Sequence, residues 1–414
     1  MTRWVCLFVA CVLLAGTVLV VAVCVADNVD HGMYPPNPNH AVAATLPNAS
    51  ATPEIGAATA TFTRATASTT YNTSNVVATV SSGVPTIIRP LTFASGVGTI
   101  DTAGATGVRL GEAVTNAAIR NEVLSDVAWA LVPGAGVPSV TDNAVAAPDG
   151  NTTADRIDDN DAGNAAGLTQ TITVTGDETT WTATVWVLCT SAHSVRLTLD
   201  IGAAVTTTSA TCSTTWQRIS ASRANNGVDT SLVVGLWPTD ATASTQGVAE
   251  FWRTQVYNEN TDVLIDVATA AAAVTVNQED LTYDAVTVGD VGTLCTWVWM
   301  NSNDANTRYV AQWDNTHMYR FTFDAASRPT METTKLANNM AVSTNQAATD
   351  ETWNHICWQW NAALTTQPVP YLNGVATTIL LTPDHTFSTG GTYGTVLDMD
   401  AGNAGEHILS RTVF

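Results

Sequence analysis

Lysine is all but missing from this chain. Lys335 is the only one, and lysine and arginine together number 15 against 36 aspartates and glutamates, for a formal charge of −21. A surface of that sign repels phosphate backbones, so nucleic acid is not expected as a partner. Charge of either sign is sparse, at 12% of residues, so the acidity reflects missing cations rather than acidic tracts. Long segments of 3.6-residue hydrophobic periodicity are absent, which argues against a helical architecture. The seven cysteines contain no C-x-x-C pair and no Cys/His cluster in sequence, so their spacing offers no zinc site. Also lacking are G-x-S-x-G, H-E-x-x-H, G-x-G-x-x-G and the P-loop.

What is present is threonine, alanine, valine and asparagine in short alternating runs, with turn residues about every ten positions. Trp181-Thr-Ala-Thr-Val-Trp-Val-Leu-Cys189 places Ala183, Val185 and Val187 on one face and Trp186 on the other. Ser194–Asp200, Trp216–Ser220 and Ser231–Trp237 read as further strands. This is an all-β chain, and strands half apolar in this way bury one face by packing as two antiparallel sheets. Two such β-sandwiches in tandem are expected, preceded by an apolar leader and a Pro/Ala/Thr-rich tether. The leader, residues 1–26, includes the uncharged run Trp4–Ala26 after Arg3. It is long enough for a bilayer anchor, while Cys24 and Ala26 suit a cleavable signal peptide, and both readings stay open. Prolines 35, 36, 38, 47 and 53 make residues 27–58 an extended tether.

From residue 59 the sequence resembles a known family. Thr61-Phe-Thr-Arg-Ala-Thr-Ala-Ser-Thr-Thr-Tyr71 looks like the "FTRAST-x-TY" opening of bacteriophage and prophage virion proteins of the tail- or fibre-associated kind. Gly107–Asn116, Asn121–Trp129, Ala147–Asp155, Thr215–Ser220, Thr254–Glu259 and Leu264–Thr275 follow in that family's order, with Val276 where the family has arginine. The resemblance implies a β-rich lead-in over 59–116 and a carbohydrate-binding-module-like jelly roll over 117–262. Over 263–414, Leu294–Met300, Trp353–Trp360 and Pro370–Gly374 resemble strands of concanavalin A-like, laminin-G-like sandwiches. The strand that normally closes such a domain is not found before Phe414. The sandwich is truncated, borrows a strand from residues 60–110, or is completed by a neighbouring subunit. The E-x-D-x-x-E strand of concanavalin-like glycosidases is also lacking, and Glu279, Asp280 and Asp284 read as a solvated loop rather than the facing carboxylates that glycoside hydrolysis needs.

The resemblance implies a non-enzymatic protein on a virion surface, homo-oligomeric, in contact with other virion proteins and with host surface glycans. The leader points instead to an exported, membrane-tethered adhesin, and a polysaccharide-degrading hydrolase is the third reading. Thirteen tryptophans exceed what two cores need. Trp358 and Trp360 share the Ile356 face and belong to a core, whereas Trp186, Trp297 and Trp299 oppose apolar faces and are candidate glycan platforms, because sugars stack on indole rings. Asp398, Asp400 and Glu406 flank a glycine turn and are candidate ligands for structural calcium, although the spacing is not that of an EF-hand. Cys295 and Cys357 fall on one sheet surface if their strands are neighbours, so an exported chain would bridge them. By parity with Arg218, opposite Ile219, Cys212 is not expected to bridge Cys189.

Overall fold

A computed structural model describes residues 59–413 apart from intervals of which the longest is 379–396, and at some strand positions it describes the backbone only. The leader 1–26 and the tether 27–58 lie outside the described residues, as do Asp400 and Glu406. The described residues are all-β: strands, turns and bends with no helix, arranged as antiparallel sheets. Among them there is no helix long and apolar enough to cross a membrane.

The first sandwich pairs a seven-stranded with a five-stranded sheet. In spatial order the larger sheet runs Ser139–Val145, Ala154–Asp159, Gly247–Tyr257, Thr180–Leu188, Gln217–Ala224, Val97–Ile100 and Leu91–Ala94. The smaller runs Ala204–Cys212, His193–Ile201, Ser231–Trp237, Gly167–Thr173 and Ala130–Val132. Period-2 alternation explains the pairing. Ala183, Val185, Val187, Ile219 and Phe251 on the larger sheet face Val195, Leu197, Leu199, Leu232, Val234 and Leu236 on the smaller, in one buried core. At the end of this core Cys189 and Cys212 are bridged, with Cα atoms 5.7 Å apart. That overturns the expectation for this pair. Cys212 closes the strand Ala204–Cys212, and a turn at Ser213–Thr215 separates it from the strand of Arg218, so parity does not carry across.

The second sandwich is built the same way. One sheet runs Val375–Ala376, Thr366–Leu372, Trp353–Asn361, Val291–Met300, His407–Val413, Gly107–Leu110 and Ile87–Ile88. The facing sheet runs Thr59–Thr63, Asp280–Asp284, Leu397–Asp398, Arg308–Trp313, His317–Phe323, Pro329–Lys335 and Asn338–Ser343. Phe321 and Trp358 meet across the interior with ring centroids 5.1 Å apart. The hairpin at Asn373-Gly374 has φ of 51° and 80°, the two positive values a type I′ turn requires. The segment 59–116 is therefore no separate unit. It supplies two strands to the first sandwich and edge strands to both sheets of the second. Strands Gly107–Leu110 and Ile87–Ile88 continue the sheet beyond His407–Val413, where the closing strand was missing in sequence.

Residues 266–276, which the sequence placed with the second sandwich, are held by the first. Gln255 clasps Val267, its amide donating to the Val267 carbonyl at 3.0 Å and its oxygen accepting from the Val267 N–H at 3.3 Å. Asn121 donates to the Val267 carbonyl at 2.7 Å and accepts from the Thr269 N–H at 2.8 Å. Val274–Val276 then pairs with Val114–Asn116.

Candidate functional site

Strand parity places Trp186 on the outer side of the larger sheet, but that side is roofed. Its indole N–H donates to Asp266 at 3.0 Å, and it packs with Val77, Ala147, Ala154, Trp252 and Trp299, the last from the second sandwich. Trp186 is 3% exposed, Trp297 7% and Trp299 5%. Trp299 lies edge-on to Trp353, with centroids 5.9 Å apart, and Trp297 packs on the His355 ring at 4.9 Å. None of the three presents a free indole face, which corrects their reading as glycan platforms. Alternation says which side of a sheet a residue occupies and nothing about what covers that side.

Under this roof lies a buried charge pair. The Arg218 guanidinium is 3.5 Å from the Asp266 carboxylate, both fully buried, and donates to Thr184 Oγ1 at 2.9 Å. Trp186 and Arg218 thus meet one acid carried in on the segment after the jelly roll. Beside them, Arg253 sits where the pairing of Gly247–Tyr257 with Thr180–Leu188 slips by one residue, and its φ is +48°. A β-bulge absorbs that slip. Arg253 is fixed by Glu122 at 2.7 Å, Asp149 at 3.5 Å and the Trp252 ring beneath its guanidinium at 4.2 Å. The motifs that carry the virion-family resemblance are here structural: Asn121, Glu122, Asp149 and Asp266 tie the roof down.

The open face is on the other sheet. Along His193–Ile201 the outward residues are Ser194, Arg196, Thr198 and Asp200, since Val195, Leu197 and Leu199 point into the core. Exposed Thr207, Ser209 and Thr211 continue this polar surface on one neighbour, and Thr171 and Thr173 on the strand at the far side of Ser231–Trp237. At the end of its central strand lies Trp237, paired with Arg196 and half-buried. The indole can lie along the sheet because Gly235 and Gly167 have no side chains. A Cβ at Gly235 would come within 2.7 Å of Trp237 Nε1, and one at Gly167 within 2.8 Å of its Cε3. The ring N–H donates to Thr198 Oγ1 at 3.3 Å, and the Arg196 guanidinium carbon stands 4.4 Å from the ring centroid.

The charges around this indole are only partly matched. Burial holds the Arg196 guanidinium below its ordinary range, opposed by the charges of Asp240 and Asp200. Burial raises the Asp200 carboxyl, opposed by Arg223 and Arg196. Arg196 Nε and Asp200 Oδ1 make no hydrogen bond among the described residues. Asp240 accepts from Ser209 Oγ at 2.6 Å. An aromatic plate, a stacked guanidinium, neighbouring carboxylates and flanking hydroxyls are the kinds of group that grip a polyol ring. Sequence reasoning passed over Trp237, although a glycine two residues before a strand-end tryptophan, on the same face, was the signal to read.

The second sandwich holds the other cluster. Cys295 and Cys357 stand directly opposite each other and are bridged. His355, two residues from Cys357, points Nε2 to within 3.7 Å of its sulfur. Burial keeps this imidazole's pKa below its ordinary value. Of the calcium candidates, Asp398 lies in a strand paired with Thr282 and Gln312, with only its backbone described, while Asp400 and Glu406 lie outside the described residues.

No family model matches the sequence, and no curated protein matches it. Solved structures similar to it include a native heptameric SAP-like pentraxin from Limulus polyphemus, at 15% identity over 32% of this chain and 68% of that one, with a TM-score of 0.25. The N-terminal CBM22-1–CBM22-2 tandem domain of Xyn10C from Paenibacillus barcinonensis is similar at 10% identity over 69% of this chain and 92% of that one, with a TM-score of 0.24. Mouse laminin alpha1 domains LG4-5 are similar at 10% identity over 61% and 87%, with a TM-score of 0.22. At TM-scores this low, nothing about this chain follows from them.

Proposed function

We propose that this chain is a non-enzymatic, surface-displayed glycan-binding protein, and that the outer face of the five-stranded sheet around Trp237 is where it binds. The observation that carries the reading is the Trp237 indole laid along an exposed sheet over Gly235 and Gly167, with Arg196, Asp200 and Asp240 beside it. Sugar rings stack their apolar faces on such plates while their hydroxyls pair with charged and hydroxyl groups at the rim. The ordered motifs from Thr61 to Thr275 support placement on a virion as a tail- or fibre-associated component, assembled as an oligomer with other virion proteins to contact host surface polysaccharide.

A glycan array probed with the full-length chain and with Trp237→Ala and Arg196→Ala tests this. Binding by the wild type that falls about fivefold or more on loss of the indole is expected, since stacking is worth ~1 kcal/mol. No binding by the wild type, or binding indifferent to Trp237→Ala, refutes it.

The two disulfides favour a second reading, an exported adhesin tethered at the cell surface, because bridges persist in oxidising compartments. N-terminal sequencing of protein from particles and from cell envelopes separates the two. An intact leader in virions counts against export, and envelope-bound protein absent from particles counts against the virion.

A further inference from the structure

We infer that Cys295, His355 and Cys357 form a redox-gated site for a soft divalent metal ion of the zinc class, closed to metal while the two sulfurs are bridged and open to it once they are reduced. The three residues occupy adjoining positions on one sheet face, because Cys295–Cys357 and Trp297–His355 are cross-strand pairs two steps apart in the ladder of Val291–Met300 with Trp353–Asn361, with Thr296–Ile356 between them on the opposite face. Their ligand atoms lie within 4.8 Å of one another. Two ligands sharing a tetrahedral zinc, at about 2.3 Å for sulfur and about 2.0 Å for nitrogen, stand roughly 3.5 Å apart. His355 Nε2 is already 3.7 Å from Cys357 Sγ. Both sulfurs belong to half-buried residues, so a reductant and an ion can reach them.

The imidazole is positioned for ligation and, among the described residues, has no polar neighbour at its nitrogens other than the Cys357 sulfur. The His355 N–H donates to Asn373 Oδ1 at 2.9 Å, the Asn373 N–H donates to the His355 carbonyl at 2.7 Å, and Trp297 packs on the ring. His355 is 5% exposed, and its Nδ1 has no hydrogen-bond partner among the described residues. A buried polar ring that spends neither nitrogen on a strong acceptor is costly unless something else uses it. The other bridge supplies a control within the same chain. His193 Nε2 is 3.6 Å from Cys189 Sγ, yet its two nitrogens stand 2.8 Å from the Ser191 carbonyl and 3.0 Å from the Pro238 carbonyl, so that ring is spent.

The chemistry balances with a dithiol as reductant. It gives two electrons and two protons to the Cys295–Cys357 bond, which breaks to two thiols while the dithiol closes to its own disulfide. Metal binding then breaks two S–H bonds, forms two metal–thiolate bonds and one metal–nitrogen bond, and releases two protons. The fourth position is left to water, as in open zinc sites.

The test uses the full-length chain, reduced with dithiol, desalted without air and titrated with Co²⁺. The readout is the thiolate-to-cobalt charge-transfer absorption together with the visible bands of tetrahedral cobalt. We expect wild type to bind one more Co²⁺ per chain than Cys295→Ser/Cys357→Ser, with Zn²⁺ displacing it, and oxidised wild type to lack that band. Cys189→Ser/Cys212→Ser should keep it, and His355→Ala should weaken binding at least about tenfold, because even an outer-shell partner of a metal ligand is worth that much. Cys6, Cys11 and Cys24 are common to all variants and cancel in the comparison. Absence of the band in reduced wild type, its survival in Cys295→Ser/Cys357→Ser, or indifference to His355→Ala overturns the proposal. Far-ultraviolet circular dichroism checks each fold, and His355→Ala carries the test if the double serine variant fails to fold, since it leaves both sulfurs in place.

Discussion

Asp155 makes the stability of the first sandwich depend on pH in an unusual direction. Its side chain is fully buried, with Oδ2 accepting from the Leu124 N–H at 2.6 Å and Oδ1 from the Asn143 N–H at 2.8 Å. Burial raises its pKa to about 6 from an ordinary 3.8, against the pull of those two hydrogen bonds, and the Asp142 carboxylate adds to the rise. A folded-state pKa above the unfolded one means that the fold prefers the protonated acid. The contribution is fully present below about pH 3.8 and is lost as pH rises through about 6. Roughly two pKa units at ~1.4 kcal/mol each give a loss of about 3 kcal/mol between those limits. Asp155→Asn removes the titration. Its amide keeps one acceptor and turns a donor towards a backbone N–H, which costs about 1–3 kcal/mol at low pH. The variant should therefore be less stable than wild type at pH 4, and the gap should shrink or reverse by pH 7.5. At about 2–4 °C per kcal/mol for a module of this size, calorimetry of the full chain at the two pH values resolves the change. A wild-type-minus-variant difference that is the same at both would refute the reasoning. The comparison has to be made between variants, because His355, whose pKa burial lowers, pulls the other way: its contribution is present above its unfolded value and lost as pH falls.

Two further outcomes follow from the packing. Arg218→Met leaves the Asp266 carboxylate buried without its guanidinium and should cost about 3–5 kcal/mol, whereas Arg218→Met/Asp266→Leu should recover much of that loss; urea titration of both variants checks it, and a double variant no better than the single one sinks the account. Gly235→Ala puts a methyl 2.4 Å from Thr198 Oγ1 and 2.7 Å from the Trp237 ring nitrogen, so the indole must lift, at about 1–3 kcal/mol. Glycan affinity and tryptophan fluorescence should change together, and unchanged binding would mean that the flat ring is not the platform.

The fold class was legible because alternation survives in single strands. Ala183, Val185 and Val187 point inward in the structure as their period requires. Strand boundaries were less legible, and they undid the parity argument for Cys212. Its neighbours in sequence, Trp216 to Ser220, belong to the opposite sheet, and the bridge to Cys189 joins the two. The lead-in was opaque for a different reason. Residues 59–110 form short strands that complete sheets built by residues far along the chain, such as Gly107–Leu110 against His407–Val413, and no local pattern encodes a partner three hundred residues away.

The tryptophans show where sequence reading stops and why. Trp186, Trp299 and Trp237 all sit on the non-core side of a strand, and periodicity treats them alike. What separates them is a covering layer. Asp266 comes in on a later segment to meet Trp186, Trp299 and Trp353 close over the same surface, whereas among the described residues Trp237 carries the Arg196 guanidinium and keeps part of its surface exposed. The distinction was nonetheless half written in the neighbours. Trp186 is flanked on its own face by Thr184 and faces Arg218, a buried cation that demands an acid to pay for its desolvation, and such an acid brings a roof with it. Trp237 follows Gly235 on its own face, and a glycine beneath an indole only makes room for the ring to lie down. Trp186, beside a buried charge, is a packing residue, and Trp237, over glycine on a threonine-rich sheet, is the one we propose as the platform for a ligand.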